Sequence, residues 1–120
     1  MAVIKLGKVG TLLPNQEIFL GTVDIEKCRT LTITCRVTYN GSAANPVNVN
    51  LYYSPTGERF DTYPYDSIEI PLSAGETVQR TVNVDVPEDG QIQVSVENLD
   101  GSVSATNVKV WVAIVRWDEK

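Results

Sequence analysis

Histidine is missing altogether from the 120 residues, and with it go the commonest general base and the commonest transition-metal ligand of proteins. A serine nucleophile would have no imidazole to take its proton, and neither cysteine has a histidine to lower its pKa. Two cysteines alone do not complete a tetrahedral zinc site. Neither common glycine-rich phosphate loop occurs. A cationic excess is absent too: ten Lys and Arg against fifteen Asp and Glu leave a net charge of -5. That balance opposes the phosphate neutralisation on which nucleic-acid affinity rests. No apolar run approaches the roughly 18 to 20 residues that span a bilayer, and the longest, Val108 to Val115, is broken by Lys109. The first residues lack the charged region, apolar segment and small-residue cleavage site of a secretory signal. These absences exclude most hydrolase constellations. They set the expectation of a soluble protein with no cofactor, no nucleic-acid or membrane partner, and synthesis in the cytoplasm without a signal peptide.

Paired carboxylates are the catalytic option that survives, since glycoside hydrolysis needs only two correctly spaced acids. Asp61 and Asp66 flank an aromatic cluster, with Glu58 near. The region is rich in turn residues, where acids are ordinary choices, and no dense Asp-x-Asp-x-Asp-Gly pattern marks a calcium loop. The expectation is a protein that is not an enzyme, with no catalytic, cofactor or metal residues. Cys28 and Cys35 would stand roughly 23 Å apart along an extended strand, whereas a disulfide needs Cα atoms within about 7 Å. Two free thiols are expected, with Cys35 buried as a small apolar residue; a bridge would require a turn or a second chain.

What the chain has is alternation. Hydrophobic residues make up 42%, enough to bury one continuous core, and they recur with period two, which puts them on one face of a strand. In residues 31 to 39, Leu31, Ile33, Cys35, Val37 and Tyr39 point one way and Thr32, Thr34, Arg36 and Thr38 the other. The pattern returns over residues 47 to 53, 68 to 72, 77 to 86, 92 to 96 and 106 to 117. Turn signals such as Asn40-Gly41, Pro55-Thr56-Gly57 and Asp100-Gly101 separate these runs. The fold expected is all-β: a two-sheet antiparallel β-sandwich, jelly-roll-like, of about eight strands, because two packed sheets bury both apolar faces. An extended apolar N-terminal arm is expected over residues 1–15, and a single sandwich domain over 16–120.

Two segments break the alternation. In the last run, Val108, Val110, Val112 and Ile114 form one apolar face, yet Trp111, Ala113, Val115 and Trp117 occupy the other. Either this is a central strand under a loop, or Trp111 and Trp117 meet a neighbouring subunit. The arm carries Val3, Ile4 and Leu6, interrupted by Gly7 and Gly10; it either covers its own domain or lies along a strand edge of another copy. Val3, Ile4, Leu6, Trp111, Val115 and Trp117 are therefore the candidate interface residues. Tyr52, Tyr53, Phe60, Tyr63 and Tyr65 form an aromatic cluster. Tyr52, Tyr63 and Tyr65 are its candidate glycan contacts, Tyr52 the most solvent-facing, with plugging of the sandwich end as the alternative role.

From about Gly21 to Trp117 the order of segments resembles small β-sandwich, jelly-roll-like virion-associated proteins of tailed bacteriophages and related thermophile viruses. The stretches that carry it are Leu31 to Tyr39, Val49 to Gly57 followed by Phe60-Asp61, Leu72 to Thr77, and Val94 to Asn98 leading to Val108 to Val112. The resemblance implies a viral structural protein located in the virion: a capsid decoration, tail or fibre-associated module. Its partners would be its own copies, as a homo-oligomer, and other virion proteins. Two rivals remain open at this point. One is a carbohydrate-binding module using the tyrosines; the other is a surface filament or pilus subunit assembled by strand addition.

Overall fold

The computed structural model describes residues 2–117. Among them the chain forms eight strands and no helix: β1 (Ala2–Leu12), β2 (Glu17–Asp24), β3 (Cys28–Thr38), β4 (Val47–Ser54), β5 (Asp66–Ile70), β6 (Thr77–Val84), β7 (Gln91–Asn98) and β8 (Ala105–Arg116). They make two four-stranded sheets, sheet I in the order β1-β8-β3-β6 and sheet II in the order β2-β7-β4-β5. Every pairing is antiparallel. The pairs are nested: β1 with β8, β2 with β7, β3 with β6, β4 with β5. The chain is thus one long hairpin with its tip at β4/β5, rolled so that β3/β8 and β4/β7 form the seams. This winding is the jelly roll, two Greek keys in one sandwich.

The alternation explains the layers. In β3, Leu31, Ile33, Cys35 and Val37 are buried while Thr32, Thr34, Arg36 and Thr38 are only half-buried. In β8, Val108, Val110, Val112 and Ile114 do the same from the neighbouring strand. Sheet II answers with Val47, Val49 and Leu51 of β4 and Ile92, Val94 and Val96 of β7, all fully enclosed. Burying each such side chain contributes roughly 1.5–3 kcal/mol. Arg80 of β6 occupies an inward position opposite Cys35, and its Nη1 donates to the Glu69 carbonyl of β5 at 2.7 Å. It spans the open side of the sandwich where β5 and β6 do not pair, and an inward charge on an edge strand discourages further strand addition.

The sequence reading and the structure differ at three places. The sandwich begins at β1, not at residue 16: the segment read as a separate arm is an edge strand of sheet I, in register from Ala2 opposite Ile114 to Leu12 opposite Ala105. β2 has no alternation to reveal it, because a bulge between Phe19 and Gly21 switches the face that its side chains present. β3 starts at Cys28, ahead of the legible run, because the register shifts between Cys28 and Thr30. Both cysteines are free and buried.

Polar groups fix the two ends. At one end the buried Asp100 carboxylate accepts from four backbone amides: Ala44 at 2.8 Å and Asn45 at 3.2 Å on one oxygen, Ser102 at 2.8 Å and Val103 at 3.0 Å on the other. Beside it, Asn98 donates to the carbonyls of Leu12 and Val103 and accepts from the Asp100 amide. The amides, that of Ala44 foremost, pull the Asp100 carboxyl down from 3.8 to about 2. At the other end Gly90 adopts φ +106°, and a Cβ there would come within 2.5 Å of the Ser54 carbonyl oxygen.

Two outcomes are expected. A carboxyl whose pKa is depressed by folding stabilises the fold above its unfolded pKa of about 4, and that contribution disappears as pH falls through about 2. Asp100→Asn should therefore unfold more easily than the parent at pH 7 in chemical denaturation, and the gap should narrow steadily between about pH 4 and about pH 2. Gly90→Ala should lose about 2 kcal/mol or more, measured the same way, because the left-handed backbone and the Ser54 carbonyl both resist a side chain.

Candidate interaction surfaces

β8 lies between β1 and β3, so it is a central strand, and its outward side chains face solvent over sheet I. Trp111, Ala113 and Val115 are half-buried there by their neighbours. The Arg36 guanidinium sits 5.3 Å from the Trp111 ring centroid, a cation–π distance, and its Nε donates to Gln79 Oε1 at 2.9 Å. Thr32 donates to Asn83 at 2.7 Å, and the hydroxyl pairs Thr34/Thr81 and Thr38/Thr77 each stand at 2.9 Å. These cross-strand pairs make the face a stiff platform, with a shallow concavity of about 380 Å³ lined by Thr34, Arg36, Gln79, Trp111 and Ala113.

The candidate interface residues divide. Trp111 and Val115 share the platform. Trp117 follows the end of β8 and is 58% exposed; its amide donates to the Lys27 carbonyl, its Nε1 donates to Glu88 at 3.0 Å, and Arg29 lies 5.9 Å from its ring. Leu6 turns the other way, half-buried against the core and beside Gly21 of β2, as alternation from Ile4, opposite the core residue Val112, requires. Val3 and Ile4 stand in β1 opposite Ala113 and Val112; their side chains lie outside the described residues. The β8-facing edge of β1 is already occupied within its own chain, so strand addition to another copy through that edge would require its release.

The tyrosines are not brought together. Tyr52 is buried at 8% exposure rather than solvent-facing: it packs on Phe19 with ring centroids 5.5 Å apart and donates to Glu17 Oε2 at 2.6 Å. Burial, then the bond to Glu17 and its charge, push the Tyr52 hydroxyl up to about 12. Burial works to raise the Glu17 carboxyl as well, but hydrogen bonds from Ser95, Tyr52 and Asn50 outweigh it and hold the carboxyl below its usual range. Tyr65, 44% exposed, packs against Tyr53 with ring centroids 6.0 Å apart and planes tilted by 48°, and Tyr63 lies in the β4–β5 connection at 82% exposure. The exposed ring that sequence reasoning missed is Phe19, at 51%, hidden in the strand whose alternation the bulge erases.

Chemistry is sparse elsewhere. Burial pushes the Cys35 thiol up to about 12 and raises Cys28 as well, so neither is a ready thiolate. Asp61 and Asp66 are exposed, and among the described residues no three Cys, Asp or Glu side chains converge on a common point.

No protein-family model matches the sequence, and no curated protein matches it. The fold, however, is similar to solved structures from infectious bursal disease virus. Against the VP2 subviral particle the TM-score is 0.59 at 12% identity, over 96% of this chain and 32% of that one. Against the virus of the Gx strain it is 0.59 at 11%, over 99% and 32%. Against the T=1 particles derived from the virus it is 0.56 at 13%, over 96% and 31%. The chain spans about one third of the length of these proteins. At such identities the likeness is one of fold, and it lies with virus-particle proteins that are neither those of tailed bacteriophages nor of thermophile viruses.

Proposed function

We propose that this chain is a structural protein of a virus particle, acting by self-association and surface presentation rather than by catalysis. The observation that carries the reading is the nested jelly-roll winding, which superposes on particle-forming viral proteins over 96% to 99% of the chain. The physical argument runs alongside it. Among the side chains outside the core are a half-apolar sheet face and an exposed tryptophan, which suit a protein surface. The subunit contacts are assigned to the platform of Trp111 and Val115, to Trp117 and to the backbone of β1 around Val3 and Ile4. Within a particle the finer role is a capsid decoration, tail or fibre-associated module, with other virion proteins as further partners.

A glycan-binding reading is favoured by one feature, the exposed Tyr63 and Tyr65 of the β4–β5 connection, a segment that also lines a cleft through Pro55, Arg59 and Phe60; Tyr52 drops out of it, being enclosed. Light scattering after gel filtration, with electron microscopy of the same fractions, tests the main proposal. Oligomers or closed shells are expected from the purified chain, and Val115→Asp should shift them toward monomer with the far-ultraviolet circular dichroism unchanged. A chain that stays monomeric at every concentration would overturn it. If instead a glycan array gives binding that Tyr63→Ala abolishes, the aromatic loop has the function and the platform does not.

A further inference from the structure

The charged residues of the strands are sorted by sheet. Sheet I carries two Lys in β1, two Arg in β3, one Arg in β6, and one Lys and one Arg in β8, with no Asp or Glu in any of its strands. Sheet II carries Glu17 and Asp24 in β2, Asp66 and Glu69 in β5 and Glu97 in β7, with no Lys or Arg. The ladders bring like charges face to face. Lys8 stands opposite Lys109, Lys109 opposite Arg36, and Glu17 opposite Glu97, while in no ladder of the described residues is a base opposite an acid. Directly opposed like charges destabilise a sheet; on sheet II the Asn50 amide offsets this by donating to both Glu17 and Glu97, while on sheet I Lys109 and Arg36 are left opposed.

By backbone register the like-charged positions line up across the strands of each sheet. On sheet I the positions are Lys8, Lys109 and Arg36, on three adjacent strands, about 10 Å end to end at the usual strand spacing. On sheet II they are Glu17, Glu97 and Glu69, with Asn48 between the last two, about 14 Å end to end. We infer that the outer face of sheet I docks on the outer face of sheet II of a second copy of this chain, the basic row lying along the acidic one. This rests on the self-association proposed above and names its surfaces. The two patches sit on opposite faces of one molecule, so the contact is head-to-tail and repeats from copy to copy, closing into a ring or growing as a stack.

A polyanion such as nucleic acid would use the basic face alone. It would leave the exclusion of Lys and Arg from sheet II without a purpose, and the chain's net charge of -5 would oppose its approach. A second copy uses both faces and relieves the like-charge pairs on both.

Sedimentation velocity on the full chain tests this. Association should weaken as salt rises from about 0.05 M to about 0.5 M. Lys109→Glu and Glu97→Lys should each weaken it about tenfold or more. An equimolar mixture of the two variants should associate again, since every contact between unlike partners then has matched charges. Lys109→Glu should also melt no lower than the parent, because it turns the like-charge pair with Arg36 into an opposite-charge one, which separates lost docking from a lost fold. Glu97 accepts a hydrogen bond from Asn50, so Glu69→Lys, on the exposed edge strand β5, repeats the test without touching that network. Association that ignores salt and all three substitutions, or a mixture that does not recover, overturns this docking mode while leaving self-association standing. A strict monomer overturns both. A monomer that binds single-stranded oligothymidine and loses it in Lys109→Glu assigns the basic face to nucleic acid and overturns the inference.

Discussion

The pairing of the first strand with the last is the constraint on which this molecule depends. β1 and β8 are about a hundred positions apart along the chain and yet run in register from Ala2/Ile114 to Leu12/Ala105. Once they meet, β2 must meet β7, and so on inward to the β4/β5 tip, because each pair is the continuation of the one outside it. That nesting turns eight half-wet strands into two sheets with one dry interior. It also places β8 between two partners, so that its second apolar face, with Trp111 and Val115, is displayed at the centre of a sheet rather than at a ragged edge. Non-local pairing of this kind makes for slow folding, and the chain meets that cost with local devices at both ends.

Those devices are polar. At one end Asn98 and Asp100 collect backbone groups from three separate connections. A carboxylate that accepts four amides acts as a fixed knot, and the depressed pKa of Asp100 is its electrostatic signature. At the far end Gly90 lets two connections pass within contact distance, which holds the β4–β5 loop and its exposed tyrosines over a defined base. Loops anchored in this way present side chains from rigid positions.

Most of the layering was legible before any coordinates. The threonine and valine alternation of residues 31 to 39 and 77 to 84 has one reading, and both became paired strands of sheet I. What stayed hidden has a common cause in broken register. The bulge at Phe19 hides β2 and with it the exposed Phe19 ring, and the two glycines of β1 hide the register that turns Leu6 to the core. Tyr52 misled for a different reason. Its outward position was read correctly from alternation, but Glu17, Ser95 and Phe19 come from strands far away in sequence and enclose it. Alternation tells which way a side chain points, and it is silent about what stands above it.

The sorting of charge follows the same logic one level up. Along the chain the signs appear mixed, because β1, β3, β6 and β8 belong to one sheet and β2, β4, β5 and β7 to the other, so consecutive strands mostly alternate between layers. A sequence that alternates basic and acidic strands reads as an ordinary solvated surface until the winding is known. Nothing about folding the sandwich requires the separation, since mixing signs within each ladder would have stabilised both sheets. The separation is a property of the two outer faces, and the core does not need it. The docking proposed above would give it a use, and the two-faced β8 belongs to the same proposal.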